Sequence, residues 1–451
     1  MDGPHRRAFL ASFGALAALG LLPRSAAAQQ SAGVAALATA YNTSGQQLFK
    51  AFAAAPGNIV LSPYSIGTAL AMALAGARAE TEREMATALK HRLARMEIAD
   101  ANAGALAILN GYGKRAEPAR CVGDMQLNGD RCEAQAPASG NCPPPTRRDG
   151  ERCVTPAIVL PSAKLLVANA LMRTGSSDVV STDYAALLKE KYSAEVFSSA
   201  GLAEVNGWVE RKTEGKIEKI LDQLDPNAAA VILNAAYFKA AWAMTFAKHA
   251  TRSEAFNLSP GQQVEVPMMH NVAAYSVAAR AGYRAVRLPY SIRAIGMVVV
   301  VPDAVDGLSS VSERLAAQEL PELFAALRTA PAKSIDLALP RFKSAFKANL
   351  VPPLQAAGMR LAFDAGRADF SGITGRPAAE IPLAIDQVMH RAMIDVYEDG
   401  TEAAAATAIS IVRTSAALSP EPFRVDRPFL FYIVDDATGA ILFQGRVVDP
   451  R

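Results

Sequence analysis

The chain has 451 residues, 51% of them hydrophobic, and 46 basic residues against 43 acidic ones leave a net charge of +3. That length supplies an ample core and by itself suggests roughly two or three domains. The near-neutral balance excludes a general electrostatic case for nucleic acid or an anionic membrane as partner. The N-terminus reads as an export signal over residues 1–28: the pair Arg6-Arg7, an apolar run from Ala8 to Leu22, then small residues Ser25-Ala26-Ala27-Ala28 before a mature start at Gln29. Arg6-Arg7-Ala8-Phe9-Leu10 looks like a twin-arginine signal; an ordinary signal with two arginines is the alternative. Either places the protein in the periplasm or outside the cell. No later apolar stretch reaches the ~18 residues a membrane helix needs, so no membrane contact is expected.

In the mature chain, apolar spacing predicts helices over Ala36–Ala54, Tyr64–Ala77, Glu80–Leu89 and Ile98–Leu109. Ser62-Pro63 opens the second of these, serine near the N-cap and proline in the first turn. Gly111 to Pro161 is rich in Gly, Pro and charge and reads as a loop-like insertion, bounded at 114–160, that contains all four cysteines. Export permits disulfides. Within the insertion Asn128-Gly129-Asp130-Arg131-Cys132 echoes Asp149-Gly150-Glu151-Arg152-Cys153, which suggests two tandem loops, Cys121–Cys132 and Cys142–Cys153. The other two connectivities stay open at this point.

Beyond the insertion, Ala163–Met172 is a strand candidate, Gly201–Leu221 is helical, and Ala230–Ala240 is the kind of apolar strand buried on both faces. Val264–Met269, Tyr283–Pro289, Ile295–Val301 and Ser334–Pro340 read as strands, and Val311–Arg328 as a helix. Phe423–Ile433 and Ala440–Val447 form a closing hairpin turned at Asp436-Ala437-Thr438-Gly439. The fold class is α+β.

Enzyme motifs are missing. The five histidines, His5, His91, His249, His270 and His390, stand at no metal-ligand or HExxH spacing, and there is no GxSxG, Walker or GxGxxG motif. Ser344-Ala345-Phe346-Lys347 fits SxxK without the SDN and KTG elements that penicillin-recognising enzymes also need, and reads as a solvated lysine on a surface turn. The expectation is a protein that is not an enzyme and uses no cofactor and no metal.

The stretch Glu398 to Val412 has a strand's alternation. One face holds Thr401, Ala403, Ala405, Thr407, Ile409 and Ile411, uncharged throughout; the other holds Glu402, Ala404, Ala406, Ala408, Ser410 and Val412. No proline interrupts it before Pro420, so every backbone donor is free to join a ladder. The segment suits both an extended loop and a buried central strand.

Several further segments, in order, resemble the serpin family. Asn58-Ile59-Val60-Leu61-Ser62-Pro63-Tyr64-Ser65-Ile66 with Ala69 to Met72 is similar to its helix B; Asn206-Gly207-Trp208-Val209 with Thr213-Glu214-Gly215-Lys216-Ile217 to its helix F; Leu233-Asn234-Ala235-Ala236-Tyr237-Phe238-Lys239 through Trp242 to the third strand of its main sheet. Leu339-Pro340-Arg341-Phe342, Gly358-Met359, Ala368-Asp369-Phe370-Ser371-Gly372-Ile373, Glu398-Asp399-Gly400-Thr401-Glu402 and Asp426-Arg427-Pro428-Phe429 follow. Only the cysteine insertion and a local departure, Ala79 where the family usually has glycine, break the match. The resemblance implies one domain over 29–451, with three β-sheets and about nine helices. It implies a monomeric suicide inhibitor of a serine protease, or of a cysteine protease, that traps its target by inserting a cleaved bait loop into the main sheet. The alternative is a non-inhibitory binding or chaperone protein of the same fold, which the small residues from Thr401 to Thr407 disfavour.

The resemblance also implies roles for individual residues. Glu398, Gly400, Thr401, Glu402, Ala403, Ala404, Ala405, Ala406 and Thr407 make the hinge of the loop. Ser62, Ser65, Asn234 and His390 make a hydrogen-bonded shutter beneath the sheet, and Trp242, Arg341 and Glu398 guard its top. The loop's usual length puts the reactive bond at Thr414-Ser415, with Arg413-Thr414 as the alternative. The uncharged face is expected to be exposed before the cut and buried after it. The insertion is a candidate exosite or protective cap, or else an inert stapled loop.

Overall fold

In the computed structural model the described residues are 26–114, 125–128, 131–137, 142, 146–156, 163–173, 180–198, 201–223, 229–401 and 419–451. Helix α1 (Ala26–Ala51) begins ten residues before the apolar spacing does, and buries Val34, Leu37, Tyr41 and Leu48 along one stripe. Strand β1 (Ile59–Leu61) leads into α2 (Pro63–Gly76), whose N-cap Ser62 accepts a hydrogen bond from the Ser65 amide. Every residue of α2 is buried, as befits a helix that is apolar all round. Helices α3 (Ala79–Ala88) and α4 (Arg95–Lys114) follow. Ala79 has φ +49°, a left-handed conformation that favours glycine, so the departure from the family glycine carries backbone strain.

The insertion is not loop-like. It forms a four-stranded antiparallel sheet, β2 (Gln126–Asn128), β3 (Arg131–Gln135), β4 (Arg147–Asp149) and β5 (Arg152–Pro156), in the order β2-β3-β5-β4. Each sequence echo is a hairpin, and the pairing is symmetric: residue 131 opposes 156 as 152 opposes 135. These strands are only three to five residues long and show no apolar period, so the pattern that finds strands elsewhere could not find these. Cys142 and Cys153 are bonded, with Cα atoms 5.5 Å apart, and Cys132 is also disulfide-bonded. Cys121 lies outside the described residues.

Strand β6 (Lys164–Arg173), α5 (Thr182–Tyr192), β7 (Glu195–Ser198), α6 (Leu202–Lys212) and β8 (Val231–Ala241) come next. The predicted helix to Leu221 stops early: Gly215 turns left-handed at φ +77°, and the Thr213 hydroxyl accepts from the Ile217 amide. Then come β9 (Arg252–Ser259), β10 (Gln262–Arg280), β11 (Tyr283–Pro289) and β12 (Ile295–Pro302). The predicted helix from Val311 to Arg328 is two, α7 (Leu308–Arg314) and α8 (Leu320–Thr329), parted by a π-turn just before Pro321, which has no amide to donate. Strands β13 (Lys333–Pro340) and β14 (Phe342–Asn349), helices α9 (Val351–Ala356) and α10 (Ser371–Thr374), and strands β15 (Gln387–Tyr397) and β16 (Gly400–Thr401) follow. The chain closes with β17 (Glu421–Arg424), β18 (Phe429–Asp435) and β19 (Ile441–Val447); the strand expected over Phe423–Ile433 breaks in two before Pro428.

Outside the insertion, the described residues hold three sheets. One has the order β14-β15-β16-β8-β6-β7; the other two share β10, whose earlier part pairs with β9 and β13 and whose end pairs with β11. In the six-stranded sheet the core face rests on α2. The opposite face carries α6, whose Val205, Trp208 and Val209 cover Ala168, Ala170, Val231 and Leu233. The SxxK residues lie in β14, not on a surface turn: Ser344 is buried and Lys347 donates to Asp222 at 2.6 Å. Among the described residues, no helix is long and apolar enough to cross a membrane and no acidic, His or Cys cluster suits a metal.

Candidate functional site

The six-stranded sheet contains a seam. Strands β15 and β8 pair directly and in parallel from Gln387–Val231 to Met393–Tyr237. Above that they part, and β16 lies between them, antiparallel to both: Thr401 opposes Val396 on one side and Ala240 on the other. The sheet is therefore a fork, closed below Met393 and open above it.

A buried polar cluster sits under the closed part. Alternation along β15 and β8 turns His390 and Asn234 to the core face, where each is fully buried. The Ser62 amide donates to His390 Nε2 at 3.4 Å, which leaves the proton on Nδ1, and Nδ1 donates to Asn234 Oδ1. The Asn234 amide then donates to Ser65 and to Asn169 Oδ1, and the Ser62 hydroxyl donates to the Leu442 carbonyl at 2.6 Å. The structure thus joins the four residues Ser62, Ser65, Asn234 and His390. It adds Asn169 on β6, whose signal in the sequence is one amide among the apolar side chains of Leu165 to Met172.

Burial pushes the His390 imidazole down to about 3 and that of His91 down to about 4. In the unfolded chain both titrate near ~6.5. Below that pH the unfolded chain binds protons that the folded one refuses, so stability falls as pH drops from about 6.5 toward the folded values and levels off beneath them. Each histidine steepens the fall by up to ~1.4 kcal/mol per pH unit. Urea unfolding at pH 7, 6 and 5 should show this loss, and His390→Gln should remove one proton's worth of its slope; an unchanged slope would mean His390 is charged or solvated in the fold.

At the top of the seam the root of the loop is tied down from both sides. Glu398 is almost wholly buried and accepts from the Arg341 Nε at 2.8 Å and from the Thr251 hydroxyl. Burial alone would raise its carboxyl, but these bonds outweigh it and hold the group below its ordinary value. Asp399 pairs with Lys248 at 3.0 Å, and its carbonyl accepts from the Trp242 amide. The Trp242 indole donates to the Tyr397 carbonyl at 3.0 Å and stacks on Tyr290 with ring centres 4.4 Å apart. Arg341 and Glu398 therefore pair directly, and Trp242 bonds the backbone of Tyr397 and Asp399 on either side of Glu398. Thr251, Lys248 and Tyr290 join them, with no signal short of the tertiary contact.

Gly400 and Thr401 follow directly. Gly400 has φ +151°, and a Cβ there would lie 2.2 Å from the Ala240 carbonyl oxygen, so only glycine lets the chain turn back into the seam. Thr401 is 0% exposed and its hydroxyl bonds Tyr290 Oη at 2.7 Å. The expectation that the uncharged face is exposed before any cut therefore fails at its first member, because Thr401 already has a ladder on both sides and a buried partner. Glu402 to Thr407, Arg413, Thr414 and Ser415 lie outside the described residues.

An α+β protein whose main sheet opens at one end to admit a strand, over a buried polar lock, is the class this geometry defines. The serpin (serine protease inhibitor) family profile matches residues 39–121 and 152–450, and the chain belongs to that family. The gap in the match falls within the four-stranded insertion. A serine protease inhibitor of Cyanea capillata is 32% identical over 401 residues, 87% of this chain and 92% of the relative. Iripin-2 of Ixodes ricinus is 31% identical, over 92% of this chain and 93% of its own. Among solved structures, Serpin48 of Tenebrio molitor superposes with a TM-score of 0.72 at 25% identity, covering 92% and 98% of the two chains. Human thyroxine-binding globulin shares the fold with the same TM-score at 24% identity, covering 93% and 99%.

Proposed function

We propose that the protein is a suicide inhibitor of serine-type endopeptidases, exported from the cell. The observation that carries this is β16: the seam between β15 and β8 already holds the first residue of the loop as a paired strand. The protease serine attacks the carbonyl carbon of Thr414, the peptide bond to Ser415 breaks, and the new amine leaves with the proton the protease's histidine supplies. The Thr414 acyl group stays esterified to the protease. The freed arm then continues into the seam and takes the protease with it before water hydrolyses the ester.

Incubation with a panel of serine proteases and one cysteine protease, followed by denaturing electrophoresis, tests this; a denaturant-stable complex with a serine protease is expected. No complex with any member, together with no stabilisation on cleavage, would favour the non-inhibitory binding role instead. Only residues near the cut fill the protease cleft, so Thr414→Arg should move inhibition toward trypsin-like enzymes. Deleting Ala116 to Pro156 should leave the inhibited class unchanged, since the insertion carries its own cross-links. If Arg413→Ala abolishes inhibition of a trypsin-like enzyme while Thr414→Arg changes nothing, the cut is at Arg413-Thr414.

A further inference from the structure

The insertion repeats one design in its two hairpins. In the first, Leu127 of β2 opposes Cys132 of β3; in the second, Arg148 of β4 opposes Cys153 of β5. One shift carries each pair onto the other (127 + 21 = 148; 132 + 21 = 153). Each also lies one step beyond the pair nearest its turn, Asn128 with Arg131 and Asp149 with Arg152. Both half-cystines are buried and both are disulfide-bonded. On their other side Cys132 faces Thr155 and Cys153 faces Ala134, neither of them charged. Along the chain an acidic residue stands two positions before each, Asp130 and Glu151. Residues directly opposite in an antiparallel pair share a face, with Cβ atoms ~5 Å apart. Within the paired strands the two half-cystines therefore differ in charge at a single neighbour, a leucine beside one and a guanidinium beside the other.

That difference bears on how each disulfide opens. A thiolate attacks one sulfur of a disulfide and expels the other as a thiolate, faster when the leaving thiolate is the more stable one. A neighbouring cation lowers a thiol's pKa and so favours that thiolate, whereas apolar surroundings disfavour it. Cys142 is half-buried and Cys153 is buried, so attack falls on Cys142 Sγ and Cys153 Sγ leaves, beside Arg148. Arg148 Nε donates to the Gly150 carbonyl at 2.9 Å, a bond within the same hairpin that keeps the charge in place. Cys132, beside Leu127, gets no such help from the strands it pairs with.

We propose that Cys142–Cys153 is a redox switch, opened by a low-molecular-weight thiol ahead of the disulfide of Cys132, and that Arg148 makes it the labile one. The first thiolate bonds to Cys142 Sγ as the Cys142–Cys153 bond breaks, and the electron pair goes to Cys153 Sγ. A second thiolate attacks the reagent sulfur of that mixed disulfide and releases Cys142 as a thiolate. The two thiols leave as their own disulfide, and the cysteines take up the two protons those thiols gave up. Strand β4 then keeps only its three register pairs with β5, as an edge strand whose side chains are all exposed. All four cysteines lie from Cys121 to Cys153, so the sheets outside the insertion hold no disulfide to lose.

To test this, the oxidised full chain is exposed to 2-mercaptoethanol, quenched at intervals with an alkylating agent and mapped by mass spectrometry. Alkylation should reach Cys142 and Cys153 before Cys132, while the main melting transition stays in place. Added salt should narrow that lead in the wild type, because an exposed charge is screened. Arg148→Leu should slow opening of Cys142–Cys153 on the order of threefold and remove its lead; Arg148→Lys, which keeps the charge, should retain it. Leu127→Arg should speed release at Cys132. Variants are compared once their four cysteines are shown to be bonded, and the salt series on wild type needs no variant. Simultaneous alkylation of all sites in the wild type, a lead that salt leaves intact, or an Arg148→Leu variant that opens as fast as wild type overturns the assignment. A main melting transition that falls on reduction shows that the switch is not confined to the insertion.

Discussion

Protein cut once in the bait loop, with both pieces retained, should melt roughly 10–15 °C above the intact form. The arm from Glu402 to Arg413 holds about a dozen residues, and each gains ladder bonds in the seam at a net ~1 kcal/mol. Unfolding entropies of ~2.1 cal/mol/K per residue give a protein of 451 residues a slope near ~0.9 kcal/mol per degree, which converts that gain into the stated shift. Some of it is spent breaking the direct pairing of β15 with β8, which runs from Gln387–Val231 to Met393–Tyr237. That cost is small beside the gain, because one ladder is exchanged for two. Thr401 contributes nothing, since it is already paired in the intact form. Differential scanning calorimetry of the two forms measures the shift. Coincident melting would show that the seam does not take up the arm, whatever the family resemblance suggests.

Thr401→Arg should turn the protein from a trap into a substrate. The site is closed on every side: Val396 and Ala240 flank it, Tyr290 lies beneath it, and the residue is 0% exposed. A guanidinium there has no carboxylate partner, because Glu398 is held by Arg341 and Thr251. An unpaired buried charge costs about 3–5 kcal/mol, so Gly400 and the substituted residue after it would leave the sheet, and the arm could not start down the seam. Cleavage in the loop should proceed and the acyl-enzyme should hydrolyse. The variant is then consumed in large molar excess over protease, and the denaturant-stable complex disappears. The intact fold should survive, since the lock around His390 and the ties at Glu398 and Asp399 do not involve residue 401. Complex formation at wild-type stoichiometry would show that Thr401 need not be buried for trapping.

The lesser features of the seam divide by how far apart in the chain their parts lie. Local chemistry was legible in the residues themselves. Ser62 before Pro63 caps α2 as its type and place require, and the two-residue period from Glu398 to Val412 shows a segment fit for burial as a strand. The family likeness picked out Asn234, His390, Trp242 and Arg341 as site residues without saying what each touches. It also led to the conclusion that the body is one fold of three sheets, against what length alone suggested. Where the reading went astray, a local signal was missing: the cysteine insertion folds as paired hairpins whose strands are too short to show an apolar period.

What the tertiary structure alone decided is the pairing of Gly400 and Thr401 and the company the root of the loop keeps. Tyr290 meets Thr401 across 111 residues and Asn234 meets His390 across 156. Such partners share no spacing rule, since nothing in a period of two or of 3.6 specifies which strand will lie beside which. The pairing of Gly400 and Thr401 at the fork is likewise a property of contact between elements: Gly400 fits only because no Cβ meets the Ala240 carbonyl, and the closed ladder of β15 and β8 begins just below. The sequence determined a strand able to enter a sheet. The geometry of two neighbouring strands determined that Gly400 and Thr401 are already paired, because a hydrogen-bond ladder is a contact between elements and belongs to neither one.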